Sequence, residues 1–364
     1  MSDLTEWQAE YRPSSSLILA SKQQVEAKAD EYDYKLLLIK RTERTSYAVN
    51  HCVFPGGVFE ATADESAGWL EYFADCGISK TQLEVLSCRQ SSNRPRLMTE
   101  GQYFSRDISL RLTALRECFE EVGILLCRSR STLSDLTTGK PAQVVLHFLE
   151  LEAWQQRVHN DAKQFLQLCK YLQVVPDLWG LSEWSVWRTA ATAAANRKYD
   201  TVYYIAALES NNVLLQLEQQ EVQAAYWLTP IDCWRRSHQA DIWLPFMLLY
   251  EIGRLMSMRC WKGLLEFSRQ RSVQGSTLLQ PIYYRCDDCM FGVLPGDELY
   301  LAEPYKFKEY IRLPGSMGEI NARSKLYNRY MAYDFYNVQL ASNVQPLDGH
   351  LRLQAKINTQ LAKL

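Results

Sequence analysis

Arg116-Glu117-Cys118-Phe119-Glu120-Glu121-Val122-Gly123-Ile124 puts three carboxylates on one side of a single helical turn. A helix advances about 100° per residue, so Glu120 and Glu121 fall at i+3 and i+4 from Glu117. Unpaired, the three charges repel. A hard divalent cation such as Mg²⁺ relieves that repulsion, because it takes oxygen ligands and joins carboxylates to substrate phosphates. The same helix is amphipathic, with Leu112, Leu115, Phe119 and Val122 positioned to face a core. Asp107 can cap its start, and Gly123 stands where a helix end favours a residue tolerant of positive φ. A plain solvated acidic helix end is the competing reading of a glutamate pair. The set R-E-x-x-E-E-x-G fixes five positions, however, which chance matches in on the order of one in several thousand chains.

Upstream, Phe54-Pro55-Gly56-Gly57 is a strong turn signal at the end of a strand expected over 47–54. The apolar runs 16–20 and 34–41 (YKLLLIKR) read as further strands. Residues 61–105 look like an excursion from the core fold, with a short helix near 66–74 and a polar stretch over 87–96. Downstream, 124–127 suggests a strand and 149–172 has helical periodicity. Residues 201–208 (TVYYIAAL) are β-branched and aromatic, as strands favour. Residues 221–228 can form another strand, and Thr229-Pro230 can start a helix with proline at its first position. Beyond Trp261 the signals weaken.

The chain has 364 residues, is 47% hydrophobic and carries a formal net charge of -2. That leaves room for one large domain or two ordinary ones, and argues against a generally basic nucleic-acid binder. The stretch 242–258 contains Pro245, Glu251 and Arg254, too polar for a membrane span, so a buried or amphipathic helix is expected. The N-terminal residues show no apolar signal-peptide core, and the 10 cysteines follow no framework spacing, so they read as reduced thiols in an intracellular protein. Cys286 and Cys289 form a lone CxxC, read as two free thiols on a turn, since a structural zinc normally needs four ligands. The histidines at 51, 147, 159, 238 and 350 show no HxxxH spacing and are expected to be packed or solvated.

The nonapeptide resembles the C-terminal half of the Nudix box, G-x5-E-x7-R-E-U-x-E-E-x-G-U with U a large aliphatic residue, and Phe54-Pro55-Gly56-Gly57 resembles the strand exit that delivers its first glycine. Here 58 residues separate Gly57 from Arg116, where the uninterrupted pattern has 13. Ile108 stands where the box's first glutamate would be counted back from Arg116, with Asp107 one place off. A long insertion of this kind resembles the peroxisomal coenzyme A diphosphatase branch, as do Arg12-Pro13, LLLIKR, TALRECFEEVGILL and Trp227-Leu228-Thr229-Pro230. A coenzyme A signature, LLTxR(S/A)x3Rx3Gx3FPGG, is matched in part: Leu37, Leu38 and Arg41 fit, while Ile39, Ser46 and Asn50 depart from it.

The resemblance implies an α/β fold, a Nudix-type α/β/α sandwich with a mixed β-sheet over residues 10–235. An insertion at about 61–105 and a C-terminal extension over 236–364 complete the expected chain. It implies that Glu117, Glu120 and Glu121 hold Mg²⁺ or Mn²⁺, that Arg116 orients a glutamate through a bidentate pair, and that Gly56, Gly57, Arg41 and Arg44 border the substrate. Arg41 and Arg44 are candidates for contacting a 3′-phosphate. The implied reaction is hydrolysis of coenzyme A or acyl-coenzyme A to 3′,5′-ADP and 4′-phosphopantetheine or its acylated form. Two alternatives stay open: a Nudix hydrolase acting on NADH or another nucleoside diphosphate derivative, and a catalytically dead Nudix binding protein. Ala362-Lys363-Leu364 is similar to the Ser-Lys-Leu peroxisomal address, which implies a peroxisomal import receptor as partner.

Overall fold

The computed structural model describes residues 11–24, 31–42, 51–87, 94–133, 136–146, 148–191 and 198–353. The chain opens with β1 (Tyr11–Lys22), β2 (Tyr34–Arg41), β3 (Cys52–Val53) and β4 (Gly56–Val58). After the insertion and the box helix, Arg106–Val122, come β5 (Leu125–Ser129), β6 (Val144–Val145) and β7 (Val174–Pro176). The next strands are β8 (Leu181–Arg188), β9 (Lys198–Leu208), β10 (Val222–Leu228) and β11 (Leu278–Leu279). The central sheet runs β10-β2-β1-β9-β8-β11, with β3 on β2 and β4 on β1. It is mixed: β1 pairs in parallel with β9 and antiparallel with β2, while β8 and β9 are antiparallel.

Strand alternation explains the layering. Leu17, Leu19, Leu37 and Ile39 face the core shared with the box helix, while Ile18, Ala20, Leu36 and Leu38 face the opposite core. Two buried faces require near-continuous apolar strands, which is what the runs at 16–20 and 34–41 supply. On the box helix, Leu112, Leu115, Phe119 and Val122 are fully buried, and Gly123 ends it at φ 72°. The N-cap is Ser105, not Asp107. Asp107 is the second residue of the helix, buried against Arg94, Arg111 and the Tyr204 hydroxyl.

Two expectations are revised by packing. The insertion is no excursion: Trp69, Phe73, Leu83, Met98 and Phe104 belong to the same core as the box helix. Its aromatic residues need burial, and the box helix gives it. The boundary expected at 235 also falls inside a helix, Pro230–His238. Leu248 and Ile252 of helix Phe246–Leu255, and Leu264 of helix Trp261–Ser272, bury against the second face of the sheet. Without them Ile18, Leu36 and Leu38 would be solvated, so the sandwich continues to about 272. Glu251 fixes this layer by accepting the indole N–H groups of Trp184 and Trp187 at 2.8 and 2.7 Å.

The remainder is a second body. Strands β12 (Ile282–Arg285), β13 (Met290–Val293), β14 (Ile311–Arg312), β15 (Asn328–Ala332) and β16 (Val338–Ser342) form a five-stranded sheet in the order β14-β12-β13-β15-β16. Helix Met317–Arg323 covers it, and Tyr284, Phe291, Met317 and Met331 make its core. These strands have two to five residues each, too short to announce themselves in the sequence. Among the described residues, no helix is long and apolar enough to cross a membrane.

Candidate active site

The turn at Gly56-Gly57 and the box helix interlock. The Gly56 N–H donates to Glu121 Oε2 at 2.8 Å. A Cβ at Gly57 would sit 2.3 Å from the carboxyl carbon of Glu117, and one at Gly56 would sit 2.3 Å from the Ser15 carbonyl oxygen. Both positions therefore exclude side chains: the glutamate needs one space and strand β1 the other.

Arg116 is the hub. Its Nε and Nη2 donate to Asp64 Oδ1 and Oδ2 at 2.8 and 2.9 Å, and its Nη1 donates to Glu117 at 2.9 Å and Glu120 at 2.5 Å. The bidentate partner is thus an aspartate at the end of the short helix Ala61–Asp64. Asp64 also accepts from Thr113 Oγ1 and from the Glu60 N–H. Counting back from Arg116 reaches Ile108, which is fully buried in the core. Counting forward from Gly57 reaches Asp64 within one place of the box spacing. The insertion begins after that acid, and this is why the backward count missed it.

Glu117, Glu120 and Glu121 lie on one side of the helix but with different partners. Glu117 and Glu120 gather at Arg116, whereas Glu121 turns to Gly56 and to Arg41 Nη1 at 3.4 Å. Burial raises the carboxyl pKa of all three, offset at Glu117 by Arg116 and at Glu121 by Arg41. Glu120 is pushed up to about 9 by burial and then by the charge of Glu117. Four carboxylates, buried at Asp64, Glu120 and Glu121 and part-buried at Glu117, face two guanidiniums, Arg116 and Arg41. That imbalance, in hard oxygen donors, suits a divalent cation.

Arg41, Arg116, Glu117 and Glu120 of this cluster line a cavity of about 410 Å³. The same cavity has aromatic and apolar walls: Trp187, Tyr199, Tyr203, Trp243 and Met247. The NUDT19 Nudix domain matches residues 11–255, and the NUDT19 C-terminal domain matches residues 283–343. The chain belongs to the NUDT19 family of Nudix hydrolases. It is 32% identical to the acyl-coenzyme A diphosphatase NUDT19 of Gallus gallus, over 88% of this chain and 87% of that protein. It is 29% identical to the Homo sapiens protein of that name, over 87% and 86%. A crystal structure of a Nudix hydrolase from Alicyclobacillus acidocaldarius aligns with TM-score 0.49 and 16% identity, covering 70% of this chain and 96% of that one.

Nudix chemistry cuts a diphosphate linkage, and the family generally relies on divalent metal ions. The other residues singled out in the sequence are distributed unevenly around this cavity. Arg41 lines it, but two of its nitrogens face carboxylates, Glu121 at 3.4 Å and Glu221 at 3.7 Å. Arg44 and the tail Ala362, Lys363 and Leu364 lie outside the described residues. Two histidines read as ordinary prove to line the cavity. His51 sits with its ring centroid 3.7 Å from that of Trp243, and burial, then the charge of Arg41, lowers its pKa to about 4. It is therefore neutral at neutral pH. His159 Nδ1 lies 3.9 Å from Glu120 Oε2. Neither has a sequence signature, because a bridge between His51 and Trp243 and the fold of helix Leu151–Asn160 bring them in.

Cys286 and Cys289 are free thiols that close the β12-β13 hairpin, with Sγ atoms 3.4 Å apart. Together with Asp288 they place ligand atoms within 4.8 Å of one another, the one such group among the described residues.

Proposed function

We propose that this Nudix hydrolase cleaves the diphosphate bond of coenzyme A or an acyl-coenzyme A, giving 3′,5′-ADP and 4′-phosphopantetheine or its acylated form, with Mg²⁺ or Mn²⁺. The observation that carries it is one cavity lined both by carboxylates of the box helix, Glu117 and Glu120, and by the aromatic residues Trp187, Tyr199, Tyr203 and Trp243. Relatives named acyl-coenzyme A diphosphatase support the substrate class.

Glu117, Glu120 and Glu121 would hold the cation. When bound, it neutralises the diphosphate oxygens and lowers the pKa of water. The chain's own residues do the rest. Arg116, anchored by Asp64, fixes Glu117 and Glu120 against rotation. Gly57 leaves space for the Glu117 carboxylate and Gly56 for strand β1, and both let backbone approach the substrate. Glu120 Oε2 faces His159 Nδ1 at 3.9 Å, which places that ring beside the carboxylates. Arg41 keeps its buried Nε without a hydrogen-bond partner among the described residues, a donor available to a phosphate oxygen.

The test is mass spectrometry of products from coenzyme A, an acyl-coenzyme A, NADH and ADP-ribose with Mg²⁺ or Mn²⁺. We expect 3′,5′-ADP as the dominant product. Preferential cleavage of NADH would sink the coenzyme A reading and leave the Nudix one intact. We further propose that Ala362-Lys363-Leu364 directs the protein to peroxisomes through the import receptor. Deleting these residues should leave a fluorescent fusion in the cytosol, with hydrolysis in vitro unchanged; import of the truncated fusion would refute this.

A further inference from the structure

A second cavity, about 650 Å³, opens between the sandwich and the C-terminal sheet. Trp243, Pro245 and Met247 line both this cavity and the carboxylate-bearing one, so a single segment separates them. Trp243 shows the geometry. One neighbour is His51 of the first cavity, at 3.7 Å between ring centroids; another is Phe335 of the second, stacked at 5.0 Å.

The walls of the second cavity are aromatic and apolar. Phe246 stacks on Tyr330 with centroids 3.7 Å apart, and Tyr283 meets both rings edge-on. Leu244 and Leu249 extend this surface. The charged groups are mainly acidic: Asp287, Asp288 and Asp334 against Arg285. Backbone N–H groups donate to all three carboxylates, Asp287 from Gly315, Asp288 from Met317 and Asp334 from Tyr336 and Asn337. They stay ionised and repel phosphate. An apolar ligand is favoured here and an anionic one is not.

We propose that this second cavity receives the fatty acyl chain of an acyl-coenzyme A, whose diphosphate lies at the box helix and whose pantetheine arm crosses at Trp243–Met247. The inference rests on the acyl-coenzyme A reading above and adds to it a site that selects for chain length. The C-terminal domain then takes part in recognition through β12, β13 and β15. Binding energy from a remote apolar arm can be used at the reacting centre, so the effect should reach kcat/KM.

The experiment uses the full-length enzyme with Mg²⁺. One arm compares kcat/KM for palmitoyl-coenzyme A with that for free coenzyme A, in the parent and in Ala332→Phe, which narrows the cavity from β15. The ratio should fall at least tenfold. An unchanged ratio in a variant that melts like the parent would overturn the proposal. A second arm needs no variant: palmitoyl-coenzyme A with a diazirine at its terminal carbon is photolysed on the parent enzyme. Label should map to 244–249, 283–290 or 330–335. Label confined elsewhere, with hydrolysis intact, overturns this inference alone; failure to hydrolyse any coenzyme A ester sinks the functional reading and this one together.

Discussion

The charged and the aromatic parts of the cavity beside the box helix are built in opposite ways. At the charged end, Glu117, Glu120, Glu121 and Arg116 come from six consecutive residues of one helix, and their proximity follows from helical pitch alone. At the aromatic end, Trp187, Tyr203 and Trp243 come from β8, β9 and the segment ahead of helix Phe246–Leu255. They meet only because a mixed sheet brings β8 and β9 together and a C-terminal helix layer closes over them. The charged end is also held against its own electrostatics, with more carboxylates than guanidiniums in a buried place, whereas the aromatic end is stabilised by the burial that forms it. Chemistry can thus be written locally while recognition is assembled from distant parts.

The largest effect should come from the charged end. Glu121→Gln keeps the acceptor for the Gly56 N–H and removes one charge. We expect kcat/KM to fall by roughly 100-fold or more, about 2.7 kcal/mol of transition-state stabilisation, with thermal unfolding little changed. Steady-state assays beside a melting curve check this. A fully active variant would remove the box helix from the mechanism and leave the contrast between the two ends without content.

A smaller effect tests which acid completes the charged end. Asp64→Asn breaks the bidentate pair and leaves Arg116 facing one fewer carboxylate. Removing one partner of a buried ion pair costs roughly 3–5 kcal/mol, and kcat should fall about tenfold as Glu117 and Glu120 lose their fixed hub. Asp107→Asn, equally buried but tied to Arg94 and Arg111, should destabilise comparably while leaving kcat within about twofold. Chemical denaturation and kcat for both variants decide it. The reverse pattern would restore Asp107 as the box acid.

These variants also mark how far the sequence could be read. The sheet's inner strands were legible because both faces are buried, which gives β1 and β2 continuous apolar runs at 17–20 and 36–39. The box helix was legible from its terminal glycine, its stripe and its glutamates, though its N-cap is Ser105 and not Asp107. Asp64 was not, because a long insertion separates it from Arg116 and a fixed spacing counts through the gap. The second helix layer was visible as an apolar helix at 242–258 but not as part of the sandwich, since a pattern shows that a face is apolar and not what it meets. The C-terminal sheet was silent, because strands such as β14, with two residues, carry no period.

The smallest effect is thermodynamic and concerns the charged end when no cation balances it. The carboxyl of Glu120 has a folded-state pKa of about 9, against about 4.3 for an unfolded glutamate. Between those values the folded protein holds a proton that the unfolded chain has released. Stability therefore declines as pH rises through this window and levels off above it. A divalent cation requires the deprotonated carboxylate, so binding it expels that proton and gains strength over the same range. In chelator, the melting temperature should drop by a few degrees between about pH 6 and pH 8.5; with Mg²⁺ added, the gap between loaded and chelated protein should widen by a similar amount. Glu120→Gln, which cannot titrate, should flatten the chelated curve, while a substitution in the aromatic end should shift it without changing its slope. A chelated curve already flat in the parent enzyme would mean that Arg116 and Arg41 balance the carboxylates on their own, and that the two ends do not differ in the way their charges imply.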